Sequence, residues 1–326
     1  PIVFNQDHAL MQYCDGTDWR MMGVGSYIPN GVQFDGSTIS LTHASPLTDV
    51  VDGKTFTGSF WYQNDEFGSE IVIQSDGAAF MIKAQDWGSG PRLTFRTENE
   101  AGTVLMQYEV DAPEDADWHH VLFSFDQANP ANNRLYLDGV NETFYEYGPG
   151  TPIDDIVDFT RPSIYFGFNS SAEHFDGKIA DFWLEKNLFM DLDIEANRRK
   201  FISEAGLPMY LGEDGSIPTG VSPDIFLSGD TADWHTNKGT GGGFTENGVL
   251  ASSSSRPGMN ISGNPVSNGL VGYWKLDETS GTTAADSSGN GNNGTLNNMD
   301  PNTDWVDGAV GGALDFDGNN DWVTIV

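Results

Sequence analysis

The sequence predicts an all-β protein: an antiparallel β-sandwich with one short helix, followed by the start of a second, similar sandwich. Three observations carry this. From about Ser26 to Asn187, strand-like tracts recur every ten to fifteen residues, punctuated by Gly, Asp and Asn and without βαβ alternation. The 39 Gly, 15 Pro and 12% aromatic residues suit many short strands joined by turns and disfavour a helical bundle. The tract from Leu270 to Ile325 reads as the opening strands of a sandwich, and its Phe316-Asp317-Gly318 echoes Phe34-Asp35-Gly36. Val326 comes before that sandwich could close, so one whole sandwich and the beginning of another are expected.

Taken in order, residues 1–25 are a lead-in where Met11, Tyr13 and Trp19 alternate around Asp15-Gly16, the pattern of a β-hairpin. So small a hairpin is marginal alone, so it leans on the next domain or on another copy of the chain. Residues 26–187 form the sandwich, with strands expected at 56–62, 71–74, 79–84, 92–97, 104–110, 118–125, 134–137, 163–168 and 178–184. Phe60, Trp61, Trp118 and Trp183 are expected to fill the space between its sheets. Asp138-Gly139 supplies the positive φ that a two-residue turn requires. Residues 188–258 are a helix and loop-rich annex to the sandwich. Its helix is expected over Ile194–Ala205, capped by Asp191 or Asp193 and ended by Gly206, with Ile194, Arg198, Phe201 and Ile202 on one face. Two strands, 224–228 and 243–250, complete the annex. Residues 259–268 are a linker, in a Ser-, Pro- and Gly-containing stretch, and 269–326 are the incomplete second domain.

Charge narrows the partners. A formal net charge of −33, spread along the chain, repels phosphate backbones and excludes a nucleic-acid partner. It fits either a solubility surface or carboxylates that hold Ca²⁺, a cation that prefers oxygen ligands. No run of about 18 apolar residues offers a membrane span, and the opening PIVFNQDH lacks the form of a signal peptide. A start at Pro1 suggests a processed product. Cys14 is the single cysteine, which excludes an internal disulfide and a Cys-based zinc site. A small buried hydrophobe or an interchain bridge remains open for it.

Several tracts occur in a telling order. Asp117-Trp118-His119-His120-Val121 precedes Leu135-Tyr136-Leu137-Asp138-Gly139, and Phe175-Asp176-Gly177-Lys178-Ile179-Ala180-Asp181 follows. Phe34-Asp35-Gly36 opens the series. In the second unit, Tyr273-Trp274-Lys275-Leu276-Asp277-Glu278, the loop from Asp286 to Gly294, and Phe316-Asp317-Gly318 repeat the theme. These tracts resemble the laminin G-like, or concanavalin A-like lectin/glucanase, superfamily over residues 26–187 and 269–326. The resemblance implies a jelly-roll sandwich of the laminin G/lectin type. Residues 11–19 and the annex resemble segments that accompany such domains in bacterial surface proteins and in fibres of bacterial viruses. The implied role is a non-enzymatic structural and adhesive module, on the outside of a virion as a fibre or capsid-decoration protein. Its partners would be copies of itself or other virion or filament subunits, together with host surface glycans. A bacterial surface or filament-associated adhesin is the alternative, and a glycan hydrolase the third reading.

For hydrolysis, two carboxylates must flank the scissile bond. The hydrolytic branch carries them as an alternating Glu-x-Asp-x-x-Glu string; that spacing occurs once, at Glu109, Asp111 and Glu114, and the expectation remains a non-enzymatic module. His119 and His120 point to opposite faces of a strand, which suits packing and not joint chelation. Calcium is the implied cofactor. By resemblance its ligands would be Asp35, Asn169 and Asp181 in the first sandwich, and Asp286, Asn290 and Asn292 in the second unit. That second loop lacks the terminal Glu of an EF-hand. For glycans, which offer apolar C–H faces with hydroxyls, the candidates are Trp87, Trp234 and Tyr145, the last beside Phe144 and Tyr147.

Overall fold

The computed structural model describes residues 2–5, 10–14, 19–21, 27–65, 68–86, 88, 90–168, 173–204, 206–258, 274–287, 291–307 and 312–325. The chain divides into two compact units, Pro1–Asn264 and Pro265–Val326. Unit one opens with β1 (Ile2–Asn5), β2 (Leu10–Cys14) and β3 (Trp19–Met21), a three-stranded antiparallel sheet where the sequence suggested a hairpin.

The sandwich follows. Its strands are β4 (Val32–Asp35), β5 (Ser40–His43), β6 (Thr55–Asn64), β7 (Ser69–Ser75), β8 (Phe80–Asp86), β9 (Pro91–Glu98) and β10 (Val104–Asp111). Then come β11 (His119–Asp126), β12 (Arg134–Leu137), β13 (Val140–Asn141), β14 (Tyr145–Tyr147), β15 (Ile164–Phe166) and β16 (Asp176–Lys186). The annex adds α1 (Glu195–Arg198), β17 (Ile225–Leu227), β18 (Thr245–Asn247) and β19 (Ala251–Ser252). One sheet runs β14-β10-β9-β8-β7-β15-β5-β18. The other runs β13-β12-β11-β6-β16-β4-β19, with β17 also on β16. All pairings are antiparallel, as expected. Asp138 and Gly139 both have positive φ (51° and 81°) between β12 and β13, as a two-residue hairpin turn demands.

Period-two alternation decides the core. Phe56, Phe60 and Tyr62 of β6 and Val121, Phe123 and Phe125 of β11 point inward. They meet Phe80, Ile82, Leu93, Phe95 and Phe166 of the other sheet in one buried cluster. The intervening side chains face the other way, and this corrects the expected core. Trp61 and Trp183 pack outside the sandwich layer: Trp61 with Ala180 and Ile202, Trp183 with Leu122, Met190, Leu192, Phe201, Leu211 and Phe226. Trp118 packs against the first of these groups. Only Phe60 of the four residues named lies between the sheets. Trp183 donates Nε1–H to the Gly215 carbonyl at 2.8 Å. The annex therefore seals the outer face of this second sheet.

A bulge in β16 explains Trp183. Between Ala180 and Trp183 the register against β6 shifts, and Asp181 adopts φ 45°. Ile179 and Phe182 then both face the core, and every later side chain changes sides. One consequence is Lys186, whose side chain is carried inward and buried. The bulge lies where β16 exchanges β4 for β17 as its neighbour.

The helix is shorter than expected. Only Glu195–Arg198 is helical, with Ile194 at its N-terminus and no side-chain cap. Asp193 instead makes a two-pronged pair with Arg134, Nε–Oδ1 2.8 Å and Nη2–Oδ2 2.7 Å. Phe201 and Ile202 are claimed by different apolar clusters, and Ile202 bridges Pro208 in a tight turn. Packing on the sheet outweighs helix propensity over so short a segment.

Unit two contains β20 (Thr283–Ala284), β21 (Gly294–Asn297), β22 (Trp305–Asp307), β23 (Gly312–Leu314) and β24 (Trp322–Ile325). β20-β21-β24 and β22-β23 form two small sheets around Ala284, Leu296, Met299 and Trp305. Its Asp317 Oδ1 accepts the amides of Asn319 and Asn320, as Asp35 Oδ1 accepts those of Ser37, Thr38 and Ile39 in unit one. The repeated Phe-Asp-Gly is thus a repeated carboxylate-closed turn.

Candidate functional site

Among the described residues, the apolar clusters outside the sandwich core draw on the second sheet alone within unit one. The outer face of the first sheet carries polar side chains, set by strand register. Glu109 stands opposite Tyr145 and Thr94, and Arg92 opposite Asp111 and Gln85. Side chains paired in this way share one face.

At the β14 edge these groups form a built surface. Tyr145 and Tyr147 are 42% and 46% exposed. Tyr145 Oη donates to Asp111 Oδ2 at 3.0 Å, and the Arg92 guanidinium lies 3.9 Å over its ring. The bond to Asp111 holds the Tyr145 phenol above its ordinary pKa. Arg92 Nη1 donates to Tyr147 Oη at 3.4 Å and is 3.5 Å from Glu109. Gln85 Nε2 donates to Thr94 Oγ1 at 2.7 Å and to Glu109 Oε1 at 3.3 Å. Two exposed aromatic rings thus stand beside fixed donors and acceptors, the combination that a sugar's C–H face and hydroxyls require. Phe144, their neighbour in sequence, turns inward and stacks on Tyr108 at 4.2 Å.

A second concavity, about 400 Å³, opens beyond the β9–β10 hairpin, lined by Asp52, Asn99, Glu100, Ala101, Asp155 and Ile156. Asn99 Nδ2 donates to Asp155 Oδ2 at 2.9 Å, and the Ile156 amide to Asp155 Oδ1 at 2.8 Å. These bonds hold the Asp155 carboxyl below the usual carboxylate range. A glycosidase acid needs the opposite shift. The carboxyls pushed upward by burial, Glu142, Asp181, Glu185 and Asp224, do not line this groove.

The sequence-derived candidates separate on this geometry. Tyr145 lies on the exposed surface. Trp234 is fully buried against Phe34 and Phe166, so it is a core residue with no face for a sugar. Trp87 lies outside the described residues. Among the described residues no three acidic, His or Cys side chains are placed to hold a metal. Asp35 spends its carboxylate on its own turn. Asp35 also faces Asp176, five residues along β16 from Asp181. That is about 17 Å of strand, far beyond the span of shared coordination at 2.3–2.6 Å. Asn169 and Asn290 lie outside the described residues. Asp286 Oδ2 accepts the Asn292 amide at 2.9 Å, which closes the loop on itself. His119 and His120 do face opposite ways. His119 bridges Asp115 and Asp138, 2.7 Å each, while His120 meets Ser59 at 2.9 Å.

Asp181 is a feature the sequence showed only as a candidate ligand. It is buried at the bulge and accepts Tyr27 Oη at 3.1 Å through Oδ1. Burial pushes its carboxyl up to about 6, against the lowering effect of Ser228, Tyr27 and Lys238. The folded pKa is raised, so the stability it contributes is complete below about pH 4 and is lost as pH rises through 6. Glu185, raised to about 7 chiefly by burial, adds in the same direction. The melting temperature is therefore expected to fall between pH 4 and 7. In Asp181→Asn, which keeps an acceptor for Tyr27, the fall becomes shallower; parallel profiles for the two proteins would refute this assignment.

The fold and its polar sheet face define a lectin-like β-sandwich. Residues 35–194 match the family model described as concanavalin A-like lectin/glucanases superfamily. These residues carry a laminin G-like domain of that superfamily. No curated protein matches the chain. Among solved structures it is similar to a heptameric SAP-like pentraxin from Limulus polyphemus, with 10% identity, TM-score 0.42, and coverage of 69% of this chain and 94% of that one. A candidate carbohydrate binding protein from Bacteroides ovatus shares 16% identity at TM-score 0.46, over 72% and 62% of the two chains. The mouse laminin alpha1 chain shares 15% identity at TM-score 0.32, over 50% and 43%. The chain thus spans less than two thirds of the latter two, and all three likenesses concern the fold alone.

Proposed function

We propose that the sandwich is a non-enzymatic glycan-binding module of an extracellular assembly, with the β14 side of the first sheet as its platform. One observation carries this reading: Tyr145 and Tyr147 stand exposed beside Asp111, Arg92 and Glu109 on the sheet face that the annex does not seal. The bland alternative, a merely solvated sheet, does not account for two half-exposed tyrosines held in place by a guanidinium and carboxylates. Base-reading aromatic chemistry is disfavoured by the charge of −33. The particular setting we propose is a fibre or capsid-decoration protein of a bacterial virus that presents this platform to host surface glycans. The resemblance of the lead-in and annex to segments of such proteins supports it.

The Tyr145→Ala, Tyr147→Ala double variant tests the platform. It is expected to lose at least about tenfold in glycan affinity on an array or by calorimetry, with an unchanged melting temperature, because both rings are exposed. Unaltered binding would remove the platform. Antibody labelling of purified virions is expected to mark their exterior; labelling confined to bacterial cell surfaces would overturn the viral setting.

A further inference from the structure

The platform's charge pattern says what kind of glycan it takes; this step rests on the glycan-binding reading above. Three of the chain's 15 Lys and Arg lie on this face, Lys83, Arg92 and Arg96. Each is already matched. Lys83 Nζ is 2.6 Å from Glu173 Oε1, Arg92 is 3.5 Å from Glu109 and 3.7 Å from Asp111, and Arg96 pairs with Glu98. An anionic sugar would have to displace a carboxylate already paired at that cation, in the field of a chain with net charge −33. A neutral sugar faces no such competition: the Gln74 and Gln107 amides, the Tyr145 and Tyr147 hydroxyls and the Asp111 carboxylate reach the surface as donors and acceptors.

Register then gives the direction. Tyr147, Gln107, Arg96, Met81, Gln74 and Tyr165 are successive cross-strand partners from β14 to β15. Alternation with core residues such as Phe95 and Ile82 turns this row outward. Five strand spacings make the row about 24 Å long, with a tyrosine at each end and a methionine between. We infer that the platform takes an extended, uncharged oligosaccharide lying across the strands from Tyr147 towards Tyr165, and discriminates against sialylated, sulfated and uronate glycans.

The test uses the full chain against neutral gluco-, galacto-, manno- and xylo-oligosaccharides of increasing length, beside sialylated, sulfated and uronate counterparts. Neutral ligands are expected to bind, with affinity rising about tenfold from disaccharide to tetrasaccharide and little salt dependence. Gln74→Ala is expected to weaken the tetrasaccharide and spare the disaccharide, while Tyr147→Ala weakens both. Binding confined to anionic glycans, or affinity independent of length, overturns this inference and leaves the glycan-binding reading standing. Silence across every class overturns both.

Discussion

Phe56→Ala is expected to destabilise the sandwich by about 3–5 kcal/mol, read as a large drop in the denaturant midpoint at unchanged slope. Phe56 is fully buried and lies edge-on to Phe80, Phe123, Phe125 and Phe159, with ring centroids 5.3–6.1 Å apart. Edge-to-face contacts add to the burial of each ring. Phe80 and Phe159 belong to the layer opposite β6, or to the loop that closes it, so this one side chain ties the layers together. Close packing leaves no small movement that could refill the space of a lost ring. A cost below about 1 kcal/mol would mean that the cluster is looser than these distances state.

The second large effect runs the other way. Lys186→Met is expected to raise stability at pH 7 by up to about 3 kcal/mol. Lys186 Nζ is buried without a hydrogen-bond partner, 5.4 Å from the Phe159 ring, beside a small cavity lined by Ile73, Phe80, Ile164, Leu184 and Ile225. Burial pulls its ammonium down to about 8, against the attraction of Asp224, Glu185 and Asp52. A lowered cation contributes its stability only above the unfolded value of about 10.4, and that stability is lost as pH falls through 8. At pH 7 the fold therefore carries the whole penalty, and methionine removes it while keeping the volume. The gap between the two proteins should close as pH approaches 10.5. A variant less stable than its parent at pH 7 would show that the carboxylates nearby need this charge.

Much of the sandwich was legible because strand pattern is local. Alternation in Phe56–Tyr62 and His119–Phe125 places their side chains on two faces, and Asp138-Gly139 marks its own turn. The repeated Phe-Asp-Gly likewise names a turn that Asp35 and Asp317 close in the same way. Tyr145 was legible as one of a run of loop aromatics with Phe144 and Tyr147. Arg92, Asp111 and Glu109 were not tied to it, because they reach one surface only through the β9–β10 and β10–β14 registers. Trp234 misled for the matching reason: a tryptophan between Asp233 and His235 looks solvated until the annex folds it against Phe34.

What the chain alone could tell was the class of fold, the order of its strands and the sign of its charge, since these depend on composition and on a period of two residues. Which sheet face stays open depended on long-range contacts: the annex buries Trp61 and Trp183 on one sheet, and the platform proposed above lies on the other. A single extra residue at the Asp181 bulge reverses every later side chain of β16 and buries Lys186. No local pattern announces such a slip, because a strand's two faces are defined only by what each is packed against.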